Sequence, residues 1–197
     1  MIRLGLTGSM ATGKSTVAAM FAKRDIPIYD ADKAVHDLYE GEAVPVVGAH
    51  FPDAIMDGKI DRKALSKLVL GDKEKLAQLE ALVHPLVHQK MHEFLAQNQR
   101  SGETLVILEI PLLFETGKDY PLDKIAVTFC ADEIQKQRAL AREGMTEEKF
   151  EAIKARQMPQ SEKKQRADFL IDTGLSPVET QQVVDDVIKT CRQLVND

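Results

Sequence analysis

The stretch that most constrains the fold is the first sixteen residues, MIRLGLTGSMATGKST. Ile2, Leu4 and Leu6 form a short apolar run that suits a buried strand. The next residues, Gly8-Ser-Met-Ala-Thr-Gly13-Lys14-Ser15, fit the pattern G-x-x-x-x-G-K-[ST] at every fixed position. Behind them Val17, Met20 and Phe21 recur at helical spacing, so the pattern lies between a strand and a helix. That setting is the one a phosphate-binding loop requires. Gly8 and Gly13 permit backbone angles that let successive N–H groups turn inward around an anion. The helix start adds unpaired N–H groups and a partial positive charge. Lys14 is expected to reach the β/γ oxygens of a nucleoside triphosphate, and the Ser15 hydroxyl to complete a magnesium shell.

The chain of 197 residues reads as a single domain large enough to bury a core. Its 44% hydrophobic and 29% charged residues are ordinary for a water-soluble protein. A net charge of -5 argues against broad nucleic-acid binding. No apolar run approaches the length of a membrane span, and with Met1 leading at once into the first strand no signal peptide is expected. Cys130 and Cys191 lie far apart without C-x-x-C or His-rich context. They are expected to be buried small apolar residues, not a disulfide or a zinc site. A cytoplasmic protein is the expectation.

Four further strands are expected at Ile26–Asp30, Thr104–Ile110, Lys124–Ala131 and Asp168–Thr173. The run Leu105-Val-Ile-Leu108 is apolar throughout, as in a parallel strand covered on both faces. Helical patterns lie between these runs, which gives an α/β fold with a five-stranded parallel sheet flanked by helices. Asp132-Glu-Ile-Gln135 reads as a capping box opening a helix. Ser176-Pro177-Val-Glu179 reads as a second, with Val183, Val187 and Leu194 on one face of its helix. The stretch from Asp30 to Thr104 is far longer than one crossover helix. It reads as several helices: one from Asp32, one near Asp61–Leu70, and a long one over Asp72–Gln99 that Pro85 should kink or split. The domain plan is therefore a core of residues 1–31, 101–137 and 168–197, a helical insertion over about 32–100, and a helical lid over about 138–167.

Arg138 and Arg142 stand four residues apart on one helix face, followed by Lys149, Lys154, Arg156, Lys163 and Lys164 among Glu143, Glu147, Glu148 and Glu151. Mixed charge of this kind is either a solvated, salt-bridged helix pair or a lid whose arginines close over a transferring phosphate. Gly144 offers the break such a lid needs. The D-x-x-G and N-K-x-D elements of a GTPase switch are absent, as is the L-S-G-G-Q of transporter ATPases. A small-molecule kinase remains. Asp30-Ala-Asp32 ends the second strand, where ligands gather in a parallel sheet. A carboxylate there can accept the proton of an attacking hydroxyl or hold magnesium; catalysis is expected of Asp32, and capping of the following helix or loop support of Asp30.

The phosphate loop with Asp30-Ala-Asp32, the His84-Pro85 pair, Pro111-Leu-Leu-Phe-Glu115, Gln135 with Arg138 and Arg142, and Ala167-Asp-Phe-Leu-Ile-Asp172 follow one another along essentially the whole chain. In that order they resemble the dephospho-CoA kinases. The resemblance implies a P-loop kinase with an acceptor subdomain and a lid. The implied reaction is transfer of the γ-phosphoryl of ATP, with Mg2+, to the ribose 3′-hydroxyl of dephospho-CoA. It also implies ATP contacts over Ala11, Thr12, Gly13, Lys14, Ser15 and Thr16, and charge from Arg138 and Arg142. An acidic role near the attacking hydroxyl falls to Asp32. Acceptor-side contacts fall to His84, Leu112, Phe114 and Glu115. No nucleic-acid or membrane partner is implied, and a monomer or small homo-oligomer is expected. Another small-molecule or nucleotide kinase, or a nucleotide-controlled switch, is the alternative. Three positions depart from the family pattern: Glu109 for aspartate, His88 for arginine and Thr173 for asparagine.

Overall fold

A computed structural model describes residues 1–117 and 119–195; residues 196–197, the end of the expected core, lie outside the described residues. In chain order the elements are β1 (Ile2–Gly8), α1 (Lys14–Ala22), β2 (Ile28–Asp30), α2 (Ala31–Tyr39) and α3 (Ala43–Gly48). Next come β3 (Ile55–Met56), β4 (Lys59–Ile60), α4 (Arg62–Val69), α5 (Lys73–Arg100), β5 (Leu105–Glu109) and β6 (Lys124–Phe129). The last are α6 (Asp132–Leu140), α7 (Glu147–Lys154), α8 (Gln160–Gln165), β7 (Phe169–Asp172) and α9 (Pro177–Gln193). The chain divides into two compact units, residues 1–29 with 98–197, and residues 30–97.

The first unit is built on a five-stranded parallel sheet in the order β2-β5-β1-β6-β7. All five expected strands form, each within a few residues of its expected bounds. Every residue of β5 is buried, because helices cover both faces of the sheet and no polar side is needed. Leu4 and Leu6 of β1, Ile107 of β5 and Ile171 of β7 pack with Val17 and Phe21 of α1. Val184, Val187, Ile188 and Cys191 of α9 complete that core. Burying these side chains stabilises the fold by about 1.5–3 kcal/mol each. The Ser176–Glu179 capping box is present in both its halves, with proline at the first helical turn. Leu194, expected on the buried face, is instead 42% exposed, because it caps the end of α9 after the apolar stripe has run out at Cys191.

Asp132 does not cap α6. Ala131 holds the N-cap position, which moves Asp132 into the first turn, where it accepts from Lys154 and Gln160 at 3.0 and 3.1 Å. Gln135, the other half of the expected box, is buried and donates to the Met10 carbonyl at 2.8 Å.

The second unit has its own core. Leu38, Val47, Phe51, Ile60, Leu65, Leu79 and Val83 are buried together within it. Asp30 is the N-cap of α2, accepting from the Lys33 N–H at 3.0 Å, so Asp32 is left within the first turn. Asp61 caps α4 in the same way. The unit is not purely helical: β3 and β4 form a short antiparallel hairpin, turning at Asp57 and Gly58, both at positive φ. Nor does Pro85 split α5, which runs unbroken from Lys73 to Arg100. The donor that proline lacks would have bonded the carbonyl of Ala81, and both residues are exposed, so the missing bond falls on the solvent side of the helix. Buried Leu79 and Val83, with half-buried Leu86 and Val87, hold the helix on either side of it.

Candidate active site

The site of the first unit gathers at the carboxyl ends of β1, β5, β6 and β7, the edge where open parallel sheets receive ligands. The loop after β1 is shaped by close approach. A Cβ at Gly8 would stand 2.1 Å from Thr128 Oγ1 and 2.9 Å from the Thr128 carbonyl, so only glycine fits. Gly13 sits at φ +81 as the N-cap of α1. Ala11 also takes a left-handed conformation, φ 61, strain that a non-glycine residue rarely carries outside a functional loop. It is held there by burial against Ala139 and Phe150.

Beneath the loop lie four buried threonines, Thr7, Thr12, Thr128 and Thr173. Thr12 Oγ1 donates to the Ser9 carbonyl at 2.8 Å and lies 3.0 Å from Thr128 Oγ1, so its hydroxyl works inside the loop. Thr173 Oγ1 donates to the Thr12 carbonyl at 2.9 Å. It accepts from Arg138 Nη1 at 2.9 Å, while Arg138 Nη2 donates to the Thr173 carbonyl at 2.7 Å. Arg138 is thus tied to the floor of the phosphate loop. The side chain of Arg142, exposed one turn further on, makes no hydrogen bond or ion pair among the described residues. Both arginines line a cavity of about 320 Å³ with Ala11, Gly13, Thr16 and Thr173.

Lys14 lies at the first turn of α1, and its Nζ is 2.5 Å from Glu109 Oε1 at the end of β5. Both side chains are largely buried, 15% and 8% exposed. Ser15 and Thr16 are exposed, and the Ser15 hydroxyl has no partner among the described residues. The segment after β5 holds Leu112, 42% exposed, then half-buried Phe114 and Glu115. Glu115 Oε1 accepts from the Met158 N–H at 3.0 Å and lies 2.7 Å from Lys163 Nζ. Asp32, exposed on α2, and His84, half-buried on α5, belong to the second unit. The structure therefore brings Gly8, Ala11, Thr12, Gly13, Lys14, Ser15, Thr16, Arg138 and Arg142 together within the first unit.

Sequence reasoning named Glu109 and Lys163 without their partners and passed over Gln157. Glu109 is the Lys14 partner, legible only as a carboxylate closing an apolar strand. Gln157 accepts from the Met10 N–H at 2.9 Å, so Met10 is bracketed by Gln135 and Gln157. Lys163 is wholly buried. Nothing local distinguishes Gln157 or Lys163 from their polar neighbours.

A mononucleotide-type loop at the switch of a parallel sheet, with an arginine-bearing helix beside it, defines a P-loop kinase fold. The sequence profile of the family described as Dephospho-CoA kinase matches residues 2–177. A dephospho-CoA kinase of Mesorhizobium japonicum is 50% identical over 192 residues, 98% of each chain. One from Rhizobium etli is 50% identical over 95% of this chain and 93% of its own. Among solved structures, TT1252 of Thermus thermophilus superposes with a TM-score of 0.84 at 34% identity. Dephospho-CoA kinase from Campylobacter jejuni superposes at 0.68 with 26% identity; both cover 96% of each chain. The chain belongs to the dephospho-CoA kinase family.

Proposed function

We propose that this protein transfers the γ-phosphoryl group of ATP to the ribose 3′-hydroxyl of dephospho-CoA, giving coenzyme A and ADP, as the last step of coenzyme A synthesis. The observation that carries the reading is the phosphate loop with Lys14 poised on Glu109, in a chain whose family membership spans nearly its whole length. The loop N–H groups and Lys14 take the β/γ oxygens of ATP, and the cavity beside Arg138 and Arg142 takes the nucleoside.

Magnesium fits the donor set. Ser15 offers a free, exposed hydroxyl, a hard oxygen ligand, and no group of three or more His, Cys, Asp or Glu is gathered to hold a metal among the described residues. A cation that keeps phosphate and water ligands needs no more from the protein. Ser15 would hold it, and it would neutralise the phosphate oxygens. In the transfer, the 3′-oxygen attacks the γ-phosphorus, the bond to the bridging oxygen of ADP breaks, and Asp32 accepts the hydroxyl proton. Arg142 supplies charge to the equatorial oxygens, and His84, Leu112, Phe114 and Glu115 serve the acceptor side. The catalytic task is alignment and charge compensation more than covalent chemistry. Residues 138–167 act as the lid that keeps water from the γ-phosphate. No helix among the described residues is long and apolar enough to cross a membrane, in keeping with a cytoplasmic enzyme that works as a monomer or small homo-oligomer.

The test is ADP release with magnesium-ATP across dephospho-CoA, AMP, CMP, shikimate, gluconate and no acceptor, with mass spectrometry of the product. Selective turnover of dephospho-CoA with phosphate on the 3′ position is expected. Preference for another acceptor overturns the substrate assignment and leaves the phosphate loop standing.

A further inference from the structure

The helix α8, sequence QSEKKQ, reads as a solvated charge run, yet Lys163 at its centre has no exposed surface at all. Its ammonium lies 2.7 Å from Glu115 Oε1, the oxygen that also accepts the Met158 N–H. The second carboxylate oxygen, Glu115 Oε2, is buried without a hydrogen-bond partner among the described residues, and Lys163 Nζ lacks a contact of hydrogen-bonding geometry among them. The ion pair is therefore the chief compensation either charge receives.

Two nearby cations add ring contacts, one of them to the same segment. The Arg166 guanidinium lies 5.7 Å from the centroid of the Phe114 ring, and the Lys164 ammonium 4.0 Å from that of Phe129, the last residue of β6. Two adjoining residues of the segment after β5, Phe114 and Glu115, thus meet Arg166 at the C-cap of α8 and Lys163 within it. Consequently α8 and its C-cap are tied to Phe114 and Glu115, although they lie inside the stretch expected to move as a lid.

We propose that Lys163 is a positioning residue for phosphoryl transfer: it neutralises and orients Glu115, and so fixes the 111–115 segment in the form that receives the acceptor. The proposal rests on the reading of Glu115 as an acceptor-side contact. A buried carboxylate stripped of its cation does not stay in place; it swings toward water or recruits another donor, and the backbone beside it follows. Loss of Lys163 therefore falls on the acceptor and spares ATP, whose contacts lie on the phosphate loop and α6.

The test is a cycle of Lys163→Met, Glu115→Gln and the double variant, each assayed for KM toward dephospho-CoA and toward ATP, with melting temperature alongside. Each single variant is expected to raise KM for dephospho-CoA at least about tenfold and to leave KM for ATP within about twofold. The double variant is expected to match Glu115→Gln alone, because Lys163 acts only through that carboxylate. If Glu115→Gln raises the acceptor KM and Lys163→Met does not, or if the two effects multiply, Lys163 has no positioning role and the Glu115 reading survives. If Glu115→Gln leaves the acceptor KM unchanged, the reading of Glu115 fails and the proposal fails with it. A lowered melting temperature with both KM values unchanged reduces the pair to a structural pin. Should Lys163→Met not fold, the double variant, which buries no unpaired charge, is compared with Glu115→Gln: equal acceptor KM supports the proposal and a higher one overturns it.

Discussion

Lys14 and Glu109 meet at 2.5 Å with both side chains mostly withdrawn from water, so each holds the other in readiness. The lysine is thus paired and largely desolvated. Replacing Lys14 by Met removes charge at the phosphates and also leaves Glu109 uncompensated. Turnover is expected to fall on the order of 10²–10⁴-fold, and stability by roughly 3–5 kcal/mol. Glu109→Gln added to that variant is expected to restore the urea midpoint and none of the activity. Recovery of turnover along with stability would mean the lysine is structural. At the opposite extreme of reactivity stand the two thiols. Burial pushes the Cys191 thiol up to about 11, with Asp168 adding to the effect, and burial also raises Cys130. Thiolate is the reacting form. An aromatic disulfide reagent at pH 8 is therefore expected to label neither cysteine in the native protein and both in urea; rapid native labelling of Cys191 would contradict the burial of α9 against the sheet.

Among the helices, α6 carries Arg138 and ends at Leu140, so Arg142, expected on the same helix face, lies two residues past its end and is not the equivalent that its spacing suggests. Arg138 makes two hydrogen bonds to Thr173, which in turn bonds the phosphate loop, whereas the side chain of Arg142 is unengaged among the described residues. Arg138→Ala is expected to lower stability by roughly 1.5–3 kcal/mol, the value of a hydrogen bond to a charged group, and to raise KM for ATP by loosening the loop floor. Arg142→Ala is expected to leave the melting temperature alone, lower kcat and raise ATP hydrolysis relative to transfer. Identical profiles for the two would remove the distinction between strut and lid charge. This difference was not legible in the chain, because i,i+4 spacing places two side chains on one face and says nothing of what that face meets. The same limit explains Lys163, hidden in a lysine pair, and Gln135, whose pattern suits a cap yet whose amide is spent on Met10. The β3–β4 hairpin is too short to show a period of two. By contrast the strands, the phosphate loop and the Ser176 cap were legible, since each depends on local sterics or on apolar runs that need no partner to be recognised. Pro85 was legible as a break in donors, and harmless because the break falls on the wet side.

For the molecule as a whole, the residues assigned to the reaction are divided between the units: the phosphate machinery belongs to residues 1–29 and 98–197, and Asp32 with His84 to residues 30–97. Asp32 is not the cap of α2, a task that falls to Asp30, so replacing it removes no helix-end bond. Asp32→Asn is accordingly expected to collapse kcat with ATP affinity and melting temperature unchanged; a joint fall of all three would assign it a structural role. The sheet itself is closed by a contact across the chain. Arg3, at the start of β1, donates from its backbone N–H and Nε to Asp123 Oδ2 at 2.8 Å, and from Nη2 to Oδ1 at 2.6 Å. Asp123 immediately precedes β6, so the pair sets where β6 enters beside β1. The Arg3 guanidinium, joined by the Arg3 N–H, holds the Asp123 carboxyl below its ordinary range. A carboxyl whose pKa is lower folded than unfolded contributes stability above its unfolded value, about 3.9, and loses it as pH falls through the folded value. The unfolded chain takes up the proton first, which draws the equilibrium toward unfolding. Both side chains are about one-third exposed, so the pair contributes roughly 1 kcal/mol at most. Asp123→Asn is therefore expected to lower the urea midpoint at pH 7. The gap from the parent protein should narrow as pH drops below about 4 and close once Asp123 is protonated in both states. A gap that stayed constant across that range would mean that the charge of Asp123 contributes nothing and that its hydrogen-bonding shape alone registers β6 on β1.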